Sequence, residues 1–213
     1  ERRADEIFAG FAPAEQDLCR RIFLRLTQLG RGTEDTKRRV AVGELSSATA
    51  GRNQVEQVLA RLAAERLVTM SGTAGDGERT VEVAHEALIR TWGRLREWID
   101  SRRELLLCRD RLGEAARVWQ ESGADASFLY HGTPLEQADK LARDPDLDLT
   151  PLEQQFLGAS VAHLVEQLAD SETGRVPALI EQLAPLAERA RPRLAEMFQT
   201  EPPDSRRRLH AAL

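Results

Sequence analysis

His85 and Glu86, within Ala84-His85-Glu86-Ala87-Leu88, are the residues of this chain best placed to do chemistry. An imidazole changes charge near neutral pH and can donate a hydrogen bond to a phosphate oxygen. A carboxylate at the first position of a helix favours the positive end of the helix dipole and can cap free N–H groups. The pair is not half of a zinc-protease motif, because H-E-x-x-H needs histidine where Ile89 stands. His131, His163 and His210 are scattered and suggest no metal site. Ser46, Ser47 and the histidines form no defensible nucleophile–base pair. There is no G-x-x-x-x-G-K-[ST] phosphate loop and no strand ending in acids for magnesium, so the 213 residues are not expected to hydrolyse ATP alone.

His85 is positioned by a change of period. Val81 and Val83 alternate with Glu82, as in a half-buried strand, and Ala87, Leu88, Trp92, Leu95, Trp98 and Ile99 then recur at helical spacing. A side chain at such a junction has a fixed direction and can reach a ligand held by another domain. Read on the residues alone, His85 is foremost a semi-exposed histidine packing the strand–helix turn, and Glu86 is a helix-start residue.

The pattern upstream predicts a helix over 13–30 stopped by Gly30, a strand over 38–42 and a short helix over 43–49. A helix capped by Asn53 and running to 66 follows, then a strand over 67–70, a glycine-rich hairpin loop over 71–79 and a strand over 80–83. That order is a winged helix. Downstream the chain reads as helices over 86–101, 104–121, 134–143 and 151–170, with a connector over 128–132. Pro134 and Pro151 stand in first turns, where the missing N–H costs little. Shorter helical patterns follow over 176–186, 192–198 and 205–213, suggesting the start of an α-solenoid. The expected fold is therefore mainly α, with domains over 11–100 (winged helix), 101–160 (helical linker) and 161–213 (the start of HEAT-like repeats).

Composition narrows the function. Hydrophobic residues make up 41% but aromatics only 5%, which favours helices packed through Leu and Ala. The net charge of −5 argues against a surface built for nucleic acid. Lysine is confined to Lys37 and Lys140 against many arginines, which reads as a genome bias rather than a binding signal. The helix over 53–66 would be the recognition helix of a DNA-binding protein, yet Arg52, Arg61 and Arg66 are offset by Glu56 and Glu65, and the wing carries Asp76 and Glu78. Arg102, Arg103, Arg109 and Arg111 interleave with Glu104, Asp110 and Glu114, as on a solvated face. Trp92, Trp98 and Trp119 lie on apolar helical faces and read as core. Cys19 and Cys108 suggest neither zinc nor a disulfide framework, so a reducing, cytoplasmic compartment is expected. No apolar run approaches a membrane span. The chain starts without methionine and ends within a helical pattern, as expected of a piece of a longer protein.

The stretch HEALIRTWGRLREWID from His85, then EAARVW from Glu114, LYHG from Leu129 and LTPLEQQFLGAS from Leu149 together resemble a block recurring in bacterial STAND-type signalling ATPases. The resemblance covers residues 14–160; the tail from Leu168, LADSETGRVPALIEQLAPL, looks like the opening of a HEAT-like sensor. In that family a Met-His-Asp-type motif ends the winged helix, and its histidine touches the β-phosphate of bound ADP. The resemblance implies that role for His85, with Glu86 in support. Here Ala84 replaces the bulky apolar residue and Glu86 the aspartate. It also implies ADP or ATP as the full-length protein's cofactor, an upstream ATPase core and downstream sensor repeats as intramolecular partners, and self-oligomerisation as the output. The rival readings are a DNA-binding winged-helix regulator and a pure interaction scaffold.

Overall fold

The computed structural model describes residues 2–30, 33–45, 51–72, 79–144 and 147–212. The fold is mainly α, with small antiparallel sheets. Its contacts divide it into two compact units, residues 1–110 with 144–150, and residues 111–143 with 151–213.

The first unit begins with helix α1 (Arg2–Ala9), which buries Ala4 and Phe8. Helix α2 (Pro13–Arg25) starts at a proline whose fixed backbone suits a first turn, and Glu15 accepts a hydrogen bond from the Ala12 N–H at 2.9 Å. Its inward face carries Leu18, Ile22 and Phe23. The helix does not continue to residue 30, as its apolar spacing would predict. Thr27–Gln28 leave it as strand β1, paired antiparallel with β2 (Thr36–Lys37). The Arg38 N–H reaches the Leu26 carbonyl at 2.7 Å. Gly30 belongs to the intervening turn, where an added Cβ would lie 2.1 Å from the Thr33 carbonyl oxygen, a clash only glycine avoids.

Strand β3 is shorter than expected, Val40–Ala41, and a 3-10 turn over Val42–Leu45 stands at the start of the expected short helix. The remainder of that helix, with Ser46 and Ser47, lies outside the described residues. Helix α3 (Arg52–Ala64) is capped by Gly51 rather than Asn53; the Gly51 carbonyl accepts from the Gln54 and Val55 N–H groups. Val55, Val58, Leu59 and Leu62 face inward and are fully buried. The helix ends with the Arg66 N–H on the Ala63 carbonyl and the Leu67 N–H on the Leu62 carbonyl, with Arg66 left-handed at φ 58°.

Strands β4 (Val68–Ser71) and β5 (Thr80–Val83) pair antiparallel, Val68 opposite Val83 and Met70 opposite Val81, and β3 adds to the other edge of β5. Val81 and Val83 point into the core and Glu82 out, the alternation read from the sequence. Most of the expected hairpin loop, including Asp76 and Glu78, lies outside the described residues.

The helix predicted over 86–101 is broken. Helix α4 (Glu86–Thr91) stops at Trp92, which is extended at φ −79°, ψ 101°, and α5 (Gly93–Ser101) begins at once. The break follows from where the indole goes. Trp92 is wholly buried, its ring 5.1 Å from Phe23, 5.4 Å from Trp98 and 6.3 Å from Phe8, all edge-on. Its Nε1–H donates to Asp5 Oδ1 at 3.0 Å. A continuous helix would carry that side chain elsewhere. Helix α6 (Arg103–Glu121) follows, and the division between the units falls within it.

In the second unit, α7 (Gly132–Ala142) and α8 (Pro151–Asp170) bury Leu135, Ala138, Leu141, Phe156, Leu157 and Val161. Trp119 and Tyr130 meet the Phe156 ring edge-on at 5.7 and 5.0 Å. Helix α9 (Val176–Leu183) passes through a 3-10 turn over Ala184–Leu186 into α10 (Ala187–Thr200), and α11 (Arg206–Ala211) is capped by the Ser205 hydroxyl, which accepts from the Arg208 N–H at 3.1 Å. Pro192 sits inside α10 instead of opening a helix. It deprives one carbonyl of its partner, and burial of Ala190 and Met197 on the same helix offsets that loss. Among the described residues no helix is long and apolar enough to cross a membrane.

Candidate functional site at the strand–helix junction

Strand β5 carries the chain to His85, and the Ala84 N–H donates to the Leu67 carbonyl at 3.0 Å, extending the pairing past the strand end. His85 is extended, φ −135° and ψ 125°, and precedes α4 as its cap residue. Its carbonyl accepts from the Leu88 N–H at 2.9 Å, tying the backbone to the helix. The imidazole is exposed and makes no hydrogen bond, ion pair or ring contact among the described residues. The backbone is thus held at both sides while the side chain is left to the outside.

Glu86 is half-buried at the first position of α4, and its Oε1 accepts from the Lys37 N–H at a long 3.4 Å. That bond links α4 to β2. Beside it, Lys37 Nζ lies 2.8 Å from Glu82 Oε1 and Arg39 Nε 3.2 Å from Glu82 Oε2. Hydrogen bonds from Lys37 and then Arg39 outweigh desolvation and hold the Glu82 carboxyl below its ordinary range. The two cations are therefore engaged by a carboxylate, and His85 is the uncommitted polar group of the junction.

Further along α4 lies a polar cleft of about 250 Å³ lined by Glu34, Asp35, Arg90, Arg96, Asp100 and Arg103. Arg103 grips Asp35 with two hydrogen bonds at 2.8 and 3.1 Å and reaches Asp100 at 3.2 Å, and Arg90 pairs with Glu34. Burial pushes the Asp35 carboxyl up, but the Arg103 and Gly30 hydrogen bonds outweigh it and hold the group below its ordinary value. Glu34 and Asp35 come from the turn after β1, far in sequence from the arginines that hold them. No local pattern therefore marks the cluster, and periodicity alone does not find it.

The basic stretch of α6 is only in part the solvated face that its interleaved acids suggest: Glu104, Arg111 and Glu114 are exposed. Arg109 is 2% exposed, and its Nη2–H donates to the Leu24 carbonyl at 3.0 Å. Arg102 pairs with Asp144 at 2.5 Å and Arg38 with Asp110 at 2.9 Å. Arg109 falls on the same face as the buried Leu106 and Leu112, and helical period rather than charge decides its fate.

The exposed arginines of α3 are also engaged. Arg61 Nη1 lies 3.3 Å from Glu15 and its guanidinium 4.1 Å from the Phe11 ring centroid, and Arg52 meets Glu56 at 3.5 Å. Such pairs leave little cationic surface for phosphates. Cys19 is 1% exposed, and burial pushes its thiol up to about 12. The His131 and His163 rings lie 5.6 Å apart between centroids, tilted by 58°, and His210 is buried. Among the described residues no three His, Cys, Asp or Glu side chains converge as metal ligands.

No curated protein and no solved structure matches the chain. The family model described as Novel STAND NTPase 1 matches residues 1–127, which takes in the His85 junction, the polar cleft and all of α6. That match spans more than half of the 213 residues, and the chain accordingly belongs to the Novel STAND NTPase 1 family.

Proposed function

We propose that this chain is a regulatory, non-catalytic region of a STAND NTPase. Residues 11–100 act as a winged helix that closes on ADP held by an NTPase core, residues 101–160 link it onward, and residues 161–213 open a HEAT-like helical sensor. The observation that carries this reading is the exposed imidazole of His85, uncommitted on a junction whose backbone is tied to both strand and helix. One imidazole can contribute one hydrogen bond to a phosphate but cannot build a nucleotide site. The chain has no phosphate loop, so the nucleotide must be held by another part of the switch.

His85 donates a ring N–H to a phosphate oxygen in the closed state, and the Glu86 contact with β2 keeps the helix start in register. Such a contact biases a two-state switch only if it is made in one state. A hydrogen bond to a charged group is worth about 1.5–3 kcal/mol, roughly a tenfold to hundredfold change in affinity. In the full-length protein, His85→Ala is expected to speed ADP release by that factor and to raise basal oligomerisation. Unchanged ADP off-rate and unchanged oligomer fraction in a folded variant would return His85 to a surface role and end this reading.

A further inference from the structure

The second unit contains an open apolar cleft of about 400 Å³ between the ends of α8, α9, α10 and α11. Ile180, Leu183, Leu194 and Phe198 form much of its wall, and no acidic side chain lines it. Its volume falls in the range of sites that take a small organic molecule, roughly 300–1,000 Å³ with an apolar lining and few polar groups.

Two polar groups meet this apolar wall. His210 lines the cleft and is only 4% exposed. Its Nδ1 lies 2.9 Å from the Leu168 carbonyl oxygen and 3.2 Å from that of Ala169. Carbonyls only accept, so Nδ1 carries the proton and donates. Nε2 of the neutral ring is then an acceptor, and it makes no hydrogen bond among the described residues. The second group is Arg191, an exposed cation at the rim with no ion pair among the described residues. Arg208, stacked 4.6 Å over the Phe198 ring, adds positive charge beside the same wall.

We propose that this cleft is a binding site for a small amphiphilic anion. The apolar body fills the space beside Leu194 and Phe198, a hydroxyl or N–H donates to His210 Nε2, and an anionic head pairs with Arg191. Charge complementarity selects this occupant, because Arg191 at the rim and Arg208 beside the wall are both cationic and the lining holds no carboxylate to repel an anion. The site does not depend on the role proposed for His85.

Anilinonaphthalene sulfonate has an apolar body, an N–H donor and an anionic head, and serves as the probe. Titrated into the 213-residue chain, it is expected to bind saturably at one site, with displacement by decanoate. Arg191→Glu, at an exposed residue with no partner to lose among the described residues, should weaken it about tenfold. Ala195→Trp, which fills the cleft, should abolish it, and far-ultraviolet circular dichroism and the urea midpoint should match wild type in both. Dye binding that ignores both substitutions or resists decanoate would overturn the proposal. So would a concentration-dependent dimer that excludes the dye and dissociates with Ala195→Trp, since a second copy would then be the occupant.

Discussion

At the entry to α4, His85 stands exposed with no side-chain partner among the described residues; at its exit, Trp92 is fully buried against Phe8, Phe23 and Trp98 and hydrogen-bonded to Asp5. One short helix thus has a clamped end and a free end. The clamped end fixes the helix axis and commits its interactions to the interior of the fold. At the free end the backbone and Glu86 are tied in, but the His85 imidazole inherits that direction with no side-chain partner among the described residues. Substitutions at the two ends should accordingly separate, one registering as stability and the other as binding.

The largest effect is expected at the clamp. Trp92→Ala deletes the largest wholly buried side chain among the described residues, and a loss of about 3–5 kcal/mol is expected, read by urea denaturation. A loss below about 1 kcal/mol would mean the aromatic cluster does not hold the exit of α4.

A smaller effect belongs to Asp5. The Trp92 N–H first, and then Arg94, hold its carboxyl below the ordinary value of 3.8. Its stabilisation is therefore in place above pH 3.8 and is lost as pH falls through the lower folded value. Asp5→Ala, which leaves the indole N–H without its acceptor, should cost about 1 kcal/mol at neutral pH. Stability measured from about pH 5 to about pH 2 should fall less steeply in this variant than in wild type. An identical acid slope would detach Asp5 from the clamp.

The smallest effect is expected at the free end. His85→Ala should shift folding stability by no more than about 0.5 kcal/mol, because it removes no internal hydrogen bond. A destabilisation above about 1 kcal/mol would show that His85 has a structural duty and would erase the contrast between the two ends.

Much of the junction is legible in the amino-acid sequence. The alternation of Val81, Glu82 and Val83 and the apolar spacing of α3 follow directly from burial of one face. The break at Trp92 is not legible, because the helical period of 86–101 runs through it and only the tertiary pull of Phe23 and Asp5 ends the helix. Gly30 has the position of a helix stop, yet it serves a turn whose need for glycine is a contact with Thr33. The charge of Arg109 points to solvent, whereas the distant backbone carbonyl of Leu24 receives it. The cleft beside α11 depends on how short helices meet, and periodicity describes each helix only singly.

The two cysteines give the molecule a built-in clock. Neither Cys19 nor Cys108 forms a disulfide, both are buried and belong to the first unit, and Cys19 is kept far from its thiolate form. A thiol reagent can reach Cys19 only when its surroundings open, so alkylation under native conditions counts openings of that unit. The second unit has no cysteine and stays silent to the same reagent. Labelling of Cys19 therefore times the breathing of the first unit.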